Sequence, residues 1–268
     1  MEAFFIGLQF LTRISIVKQT VWTEESFGNS VKFFPAVGAV LGISYVIINI
    51  IFSFLLIGDV NNLFSANFPM LRASIILIAM TFLTGAIHCD GFMDTMDGLF
   101  SGRDRNKMLE IMKDSRVGAF GVVSFVILSI FEFASLAELA KFSNFTLIAA
   151  IYTAPIIGRF MMVLTIGGFP YARPEGMGKA FSERTTRATM VFAAIETLIL
   201  MIPIVLMSVE LVKSLIISII LTLIFTLRFG KFSVKKIGGV TGDIYGAVTM
   251  VSEAIVFLSF IVLESYKF

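Results

Sequence analysis

The sequence is poor in the side chains that cover the surfaces of soluble proteins, since only 15% of its 268 residues are charged. It also has a single cysteine, a single histidine and a single tryptophan. One cysteine excludes both a disulfide framework and a zinc site built from cysteine ligands. Soluble domains carry roughly a quarter charged residues, so the low charge argues against a soluble globular protein.

Apolar residues are abundant instead, at 57% of the chain. Several uncharged stretches reach the ~20 residues that a helix needs to cross a bilayer. They predict an all-α fold, namely a polytopic integral membrane helical bundle with about seven transmembrane helices in a single domain over residues 1–268. The predicted spans are 33–57, 71–88, 118–140, 144–168, 189–208, 212–228 and 244–264. Residues 3–17 are too few to span and predict an N-terminal interfacial or re-entrant helix.

Basic residues are concentrated in four of the segments outside these spans. Segments 1–32, 89–117, 170–188 and 228–243 hold three, five, four and four of the 21 Lys and Arg residues. Seven spans place all four segments on the same side of the bilayer, and the positive-inside rule predicts that this side is cytoplasmic. We therefore expect a multi-pass protein of the cell (inner) membrane, in contact with the lipid bilayer, with no nucleic-acid partner.

Acidic residues show a second concentration, because five of the seven aspartates lie within residues 87–121. Asp90, Asp94 and Asp97 have the spacing i, i+4, i+7, which places three carboxylates on one face of a helix. Such carboxylates repel one another unless a cation lies among them, and oxygen ligands beside phosphate suit Mg²⁺. His88 precedes them and is a candidate general base, since its pKa lies near neutrality.

Basic side chains are interleaved with acidic ones in the rest of this stretch. Arg103, Arg105, Lys113 and Arg116 surround Asp114 in the sequence. Such a mixture at a membrane surface fits a nucleotide diphosphate, with a metal ion on one side of the phosphates and guanidinium groups on the other. An ordinary solvated loop with surface ion pairs is the alternative interpretation.

Other charged residues mark three further regions. Arg173 lies in a segment of glycine, proline and basic residues at 167–187, which fits an anion-binding loop, a lid or a plain basic loop. Asp243 follows a glycine-rich turn that can cradle phosphate at the start of a helix. Arg159 and Glu253 fall within predicted spans, where charges usually face a cavity or pair with each other.

Residues 88–121, HCDGFMDTMDGLFSGRDRNKMLEIMKDSRVGAFG, resemble the signature of the cobalamin synthase family, the adenosylcobinamide-GDP ribazoletransferases. LQFLTRI near the start, FFPAVGAVLG, PYARPEGMG and GGVTGDIYGA are similar to family segments in the same order. The resemblance covers nearly the whole chain. It implies a membrane enzyme that joins adenosylcobinamide-GDP to α-ribazole, or to its 5′-phosphate, and releases GMP with Mg²⁺ as cofactor.

The resemblance also suggests roles for the candidate residues. Asp90, Asp94 and Asp97 would hold Mg²⁺ on the diphosphate, and His88 or Asp114 would take the proton from the attacking ribose hydroxyl. The predicted substrate-binding residues are Arg103, Arg105, Lys113, Arg116, Arg159, Arg173, Asp243 and Glu253. A homo-oligomer is compatible with the sequence, which carries no signature of oligomeric state.

Two other classes of membrane protein share some of these features. CDP-alcohol phosphotransferases also use an acidic Mg²⁺ motif, but DGFMDT at 90–95 lacks the Ala-Arg pair of their pattern. A transporter would use Glu132, Glu196 and Glu253 as coupling sites within the membrane. Transporters usually place such sites near the midplane of repeated halves, whereas this chain shows no internal repeat.

Overall fold

The computed structural model describes residues 2–17, 23–57 and 67–265. Secondary structure in these ranges is helical, apart from one isolated bridge between Tyr171 and Val240. The helices of the described residues are α1 (Glu2–Leu11), α2 (Glu24–Ser30), α3 (Phe34–Ile57), α4 (Pro69–Leu83), α5 (Ile87–Leu99), α6 (Arg105–Ile111), α7 (Ala119–Phe142), α8 (Asn144–Gly168), α9 (Met177–Arg184), α10 (Arg187–Met207), α11 (Leu211–Ile237) and α12 (Gly242–Ser265).

The prediction of a polytopic helical bundle is confirmed. Among the described residues, six segments are long and apolar enough to cross a membrane. They contain α3, α7, α8, α10, α11 and α12. The consecutive helices α4 and α5 qualify only as a pair, which is bent by 86° and would make a seventh span. Helix α1 has 10 residues, which agrees with the prediction that the N-terminal segment is too short to span.

The expected continuous span over 71–88 is wrong, because α4 ends at Leu83 and the chain then turns. Gly85 and Ala86 at the turn have φ angles of 61° and 58°. A glycine adopts this left-handed conformation readily, whereas an alanine does so at some cost in energy. The turn redirects the chain into α5, so the aspartates lie on a helix that runs in a different direction from α4. Helix α11 also departs from expectation, since it continues to Ile237 instead of ending at 228.

The four basic segments meet at one end of the bundle. The ring centroids of Phe10 on α1 and Phe181 on α9 lie 5.1 Å apart. The backbone N–H of Ala172, after α8, donates to the carbonyl of Val240, before α12, at 2.8 Å. Helix α5 packs against α12 beside Asp243. The distribution of Lys and Arg predicted that these four segments lie on the same side of the bilayer. In the structure they lie at the same end of the bundle, as that prediction requires.

Helix α8 lies at the centre of the bundle, and most of its side chains are buried. Helix α3 approaches it closely at two glycines. A methyl group at Gly38 would lie 2.8 Å from the Cα of Ile156, and one at Gly42 would lie 2.9 Å from the Cα of Tyr152. Small residues at such crossings let helix backbones come together, which is how helices associate where water supplies no driving force.

The α3–α8 crossing yields a stability prediction. Gly38→Ala places a methyl group against the α8 backbone, and we expect overpacking to lower the free energy of unfolding by about 1–3 kcal/mol. Thermal unfolding in detergent measures the effect. Gly168→Ala is the matched control, because a methyl group there meets no atom of the described residues within 4 Å. Equal melting temperatures for the two variants would contradict the importance of this crossing.

Candidate active site

A cavity of about 230 Å³ lies at the end of the bundle where the basic segments meet. Four of the predicted site residues line it, namely His88, Asp90, Arg173 and Asp243. They come from α5, from the loop that follows α8 and from the first turn of α12. The sequence separates these elements by up to 155 positions, so only the fold brings the four side chains together.

The packing of α5 on α12 positions two of these elements. A methyl group at Gly91 would lie 2.9 Å from the backbone oxygen of Asp243, and one at Gly246 would lie 3.2 Å from the Cα of His88. Each helix therefore presents a glycine to the backbone of the other. This close approach brings both His88 and Asp243 to the wall of the same cavity.

Backbone pairing between two loops brings Arg173 to Asp243. Hydrogen bonds of 2.8 Å join residues 170–172 to Val240 in both directions. The Arg173 Nη2 then donates to the Asp243 Oδ2 at 2.8 Å, and the Thr241 hydroxyl donates to the same oxygen at 3.1 Å. This charge-assisted contact fixes one end of the guanidinium group.

Three buried polar atoms, each in a residue that lines the cavity, have no hydrogen-bond partner among the described residues. They are the Nε2 of His88, the Nε of Arg173 and the hydroxyl oxygen of Tyr245. Buried polar atoms in folded proteins nearly always have a partner, and leaving one without costs free energy. Because all three residues line the same cavity, we take it as the candidate site for a polar ligand.

The carboxylates of α5 give this end of the bundle an excess of negative charge. Asp90 is exposed and lines the cavity, while Asp94 is partly buried. The charges of Asp243, Asp90 and Asp97 act unfavourably on an ionised Asp94, and Arg173 opposes them. Neither Asp90 nor Asp94 accepts a hydrogen bond from a described residue in the structure. Both are therefore free to bind a cation.

Asp97 has a different set of contacts from the other two. Its carboxylate accepts hydrogen bonds from the backbone N–H of Gly118 at 2.6 Å and of Gly121 at 2.8 Å. These groups belong to the N-terminus of α7, whose first N–H groups lack partners within the helix. Asp97, which the spacing predicted as a third metal ligand, thus caps α7. Among the described residues, no group of three His, Cys, Asp or Glu side chains could by itself hold a metal ion.

The mixed acidic and basic stretch after α5 lies outside the cavity. Asp114 accepts hydrogen bonds from Arg116, which lower the pKa of Asp114 below its usual value, and the Arg116 side chain is 89% exposed. Arg103 and Lys113 are exposed. The guanidinium group of Arg105 lies against Gly238 at the end of α11. The predicted clamp of acids and bases around one diphosphate is therefore not assembled from these residues.

Two predicted substrate-binding residues lie inside the bundle. Arg159 of α8 and Glu253 of α12 form a buried salt bridge with each other. They line a small internal pocket together with Glu132, and His88 contacts that pocket as well as the larger cavity. The sequence analysis expected charges within spans either to face a cavity or to pair with each other. The structure contains the pair.

The sequence analysis did not select several of the residues that line the cavity. Tyr171 and Tyr245 fall inside the motifs PYARPEGMG and GGVTGDIYGA, so their positions in those motifs could have identified them. Phe10 likewise falls inside LQFLTRI, whereas Phe181 lies outside the quoted motifs and is one of 29 phenylalanines. The apolar wall of the cavity is therefore a property of the fold.

The contacts of Asp97 generate a prediction about folding. Asp97→Ala removes the acceptor for two N–H groups of α7, and we expect a loss of about 0.5–2 kcal/mol in the free energy of unfolding. Unfolding is measured in detergent with a chelator present, so that no metal ion contributes. Asp94→Ala serves as the control, since it removes a repelled carboxylate and should not destabilise the fold. Equal destabilisation of both variants would rule out the capping role.

Comparison with known proteins gives a consistent result. The family model described as Cobalamin-5-phosphate synthase matches residues 3–261. A protein of Fusobacterium nucleatum named adenosylcobinamide-GDP ribazoletransferase is 36% identical over 99% of both chains. Proteins with the same name from Clostridioides difficile and Desulfitobacterium hafniense are 36% and 33% identical, over 100% and 96% of both chains. No solved structure matches. The chain belongs to the cobalamin-5-phosphate synthase family, as the resemblance of its motifs led us to expect.

Proposed function

We propose that this chain is a membrane-embedded transferase that joins adenosylcobinamide-GDP to α-ribazole or its 5′-phosphate. In the reaction a ribose hydroxyl oxygen bonds to the phosphorus atom carried by cobinamide. The bond from that phosphorus to the bridging oxygen breaks, GMP leaves, and the hydroxyl proton passes to a base. The observation that carries the proposal is the cavity that His88, Arg173 and Tyr245, each with an unpartnered buried polar atom, line together with Asp90.

Asp90, which lines the cavity, and Asp94, one turn further along α5, fit Mg²⁺ as a cofactor. Mg²⁺ commonly binds through one or two carboxylates together with the phosphate groups of a substrate, and it retains several waters. Asp90 and Asp94 provide two such carboxylates on adjacent turns of α5, in surroundings with excess negative charge. We assign the metal to these two residues. When bound, the ion would neutralise charge on the diphosphate.

Arg173 is suited to hold a phosphate oxygen. Its Nη2 is engaged by Asp243, while its Nε is buried and has no partner among the described residues. A guanidinium group fixed at one end in this way can donate from its other nitrogen to an anionic ligand with little loss of conformational freedom. Asp243 therefore positions Arg173 for the substrate, and the hydroxyl of Tyr245 adds a neutral donor.

Of the two candidate bases, His88 has the better geometry. Its Nε2 has no partner among the described residues, and the side chain lines the cavity. Asp114 is instead occupied by Arg116 and does not line the cavity. We therefore assign acceptance of the hydroxyl proton to the His88 Nε2. The positive-inside distribution of Lys and Arg supports a cytoplasmic location for this end of the bundle.

Product analysis tests the activity and the metal assignment together. Purified protein in detergent receives adenosylcobinamide-GDP and α-ribazole 5′-phosphate with increasing Mg²⁺. We expect equal amounts of GMP and a corrinoid product, dependent on Mg²⁺.

Asp94→Asn should raise the Mg²⁺ concentration that the reaction needs, because one carboxylate ligand is lost. Normal turnover of this variant at limiting Mg²⁺ would remove the metal assignment. If folded wild-type protein forms no product, a CDP-lipid is the next substrate to supply.

A pair of variants separates the two candidate bases. His88→Asn should lower kcat by about 10²- to 10⁴-fold, the usual contribution of a general base, and should change the pH dependence of kcat. Asp114→Asn should stay within a few-fold of wild type with an unchanged pH profile. The reverse pattern would transfer the role to Asp114.

A further inference from the structure

A second cavity, of about 420 Å³, adjoins the first at the same end of the bundle. Phe10, Ile87 and Asp90 line both cavities. The remaining wall of the second cavity comes from the end of α1 and from the turn between α4 and α5, and it includes Arg13 and Gln9. Resting on the proposed function, we propose that this cavity binds a phosphate monoester on the acceptor nucleoside and that Arg13 holds it.

Contacts with the α4–α5 turn place Arg13 at this cavity. Its backbone N–H donates to the carbonyl of Leu83, the last residue of α4, at 2.7 Å. Its guanidinium group lies directly over Gly85, since a methyl group there would be 2.8 Å from the Arg13 Cζ. The left-handed φ of Gly85 and its missing side chain thus give the guanidinium group room beside the cavity.

The guanidinium group of Arg13 forms no salt bridge with any carboxylate of the described residues. No anion of the described part of the chain therefore competes with a phosphate for it. A planar guanidinium group binds phosphate through paired hydrogen bonds. Arg173 in the first cavity differs, because Asp243 already engages it. Each cavity therefore has its own cation, and Asp90 lies on the wall that they share.

Two phosphate sites match the chemistry of the proposed reaction. The 5′-phosphate of the acceptor takes no part in bond formation and remains in the product, so its site needs to bind and orient it only. The reacting diphosphate and this phosphate repel each other if they share one site. Separate cavities with separate cations reduce that repulsion and still let the acceptor extend towards the phosphorus near Asp90.

The test compares α-ribazole 5′-phosphate with α-ribazole as acceptors for the same variants. Hydrogen bonds to charged groups are strong enough that Arg13→Ala should raise KM for the phosphorylated acceptor by about 10-fold or more. KM for the unphosphorylated acceptor and kcat with either should stay within about two-fold. Arg13→Lys should restore part of the loss, since it keeps the charge but not the paired donors. Arg187→Ala, an exposed arginine outside both cavities, is the control.

Two results would overturn the inference. Equal increases in KM for both acceptors would show that Arg13 supports the α4–α5 turn or binds the diphosphate, and unchanged values would show that it binds neither.

If Arg13→Ala does not fold, inhibition by inorganic phosphate replaces it. Phosphate should compete with the phosphorylated acceptor in the wild type and compete more weakly in Arg13→Lys; equal inhibition would overturn the inference. An inactive wild type would refute the proposed function itself, whereas active protein with an insensitive Arg13 refutes only this inference.

Discussion

The close contact between α5 and the first turns of α12 is the constraint on which the site depends. Gly91 and Gly246 let the two backbones meet, and no larger residue fits at Gly91 without displacing the Asp243 backbone. Helix α5 reaches this position because the chain bends by 86° after α4. If α5 continued in the direction of α4, Asp90 and His88 would lie away from Arg173 and Asp243. One turn and one glycine contact thus assemble groups from distant parts of the chain.

The structure separates two kinds of charge in an apolar molecule. Arg159 and Glu253 neutralise each other inside the bundle, where an unpaired charge would be costly. Asp90 and Asp94, at the end of the bundle, have no such partner among the described residues. The unbalanced carboxylates therefore lie at the end of the bundle that holds the cavity, and Asp90 lines that cavity. The internal pair supports the fold, and the terminal carboxylates belong to the metal site that we propose.

Sequence reasoning succeeded where a residue's role follows from local spacing or composition. The apolar composition of residues 144–168 predicted α8 to the residue, and the distribution of Lys and Arg predicted which segments share an end. It was less successful where a side chain's partner lies far along the chain. Asp97 has the spacing of a metal ligand but caps α7, and Asp114 lies in the acidic stretch but pairs with Arg116.

By itself, the sequence determined the class of protein, most of the spans, the family and the helix that carries the aspartates. These are properties of composition, periodicity and motif, which act over a few turns of helix or across a bilayer of fixed thickness. Only the tertiary structure decided which charged residues reach the cavity. A side chain's partners depend on how close two backbones can approach, and Gly91 against Asp243 is a contact between residues about 150 positions apart.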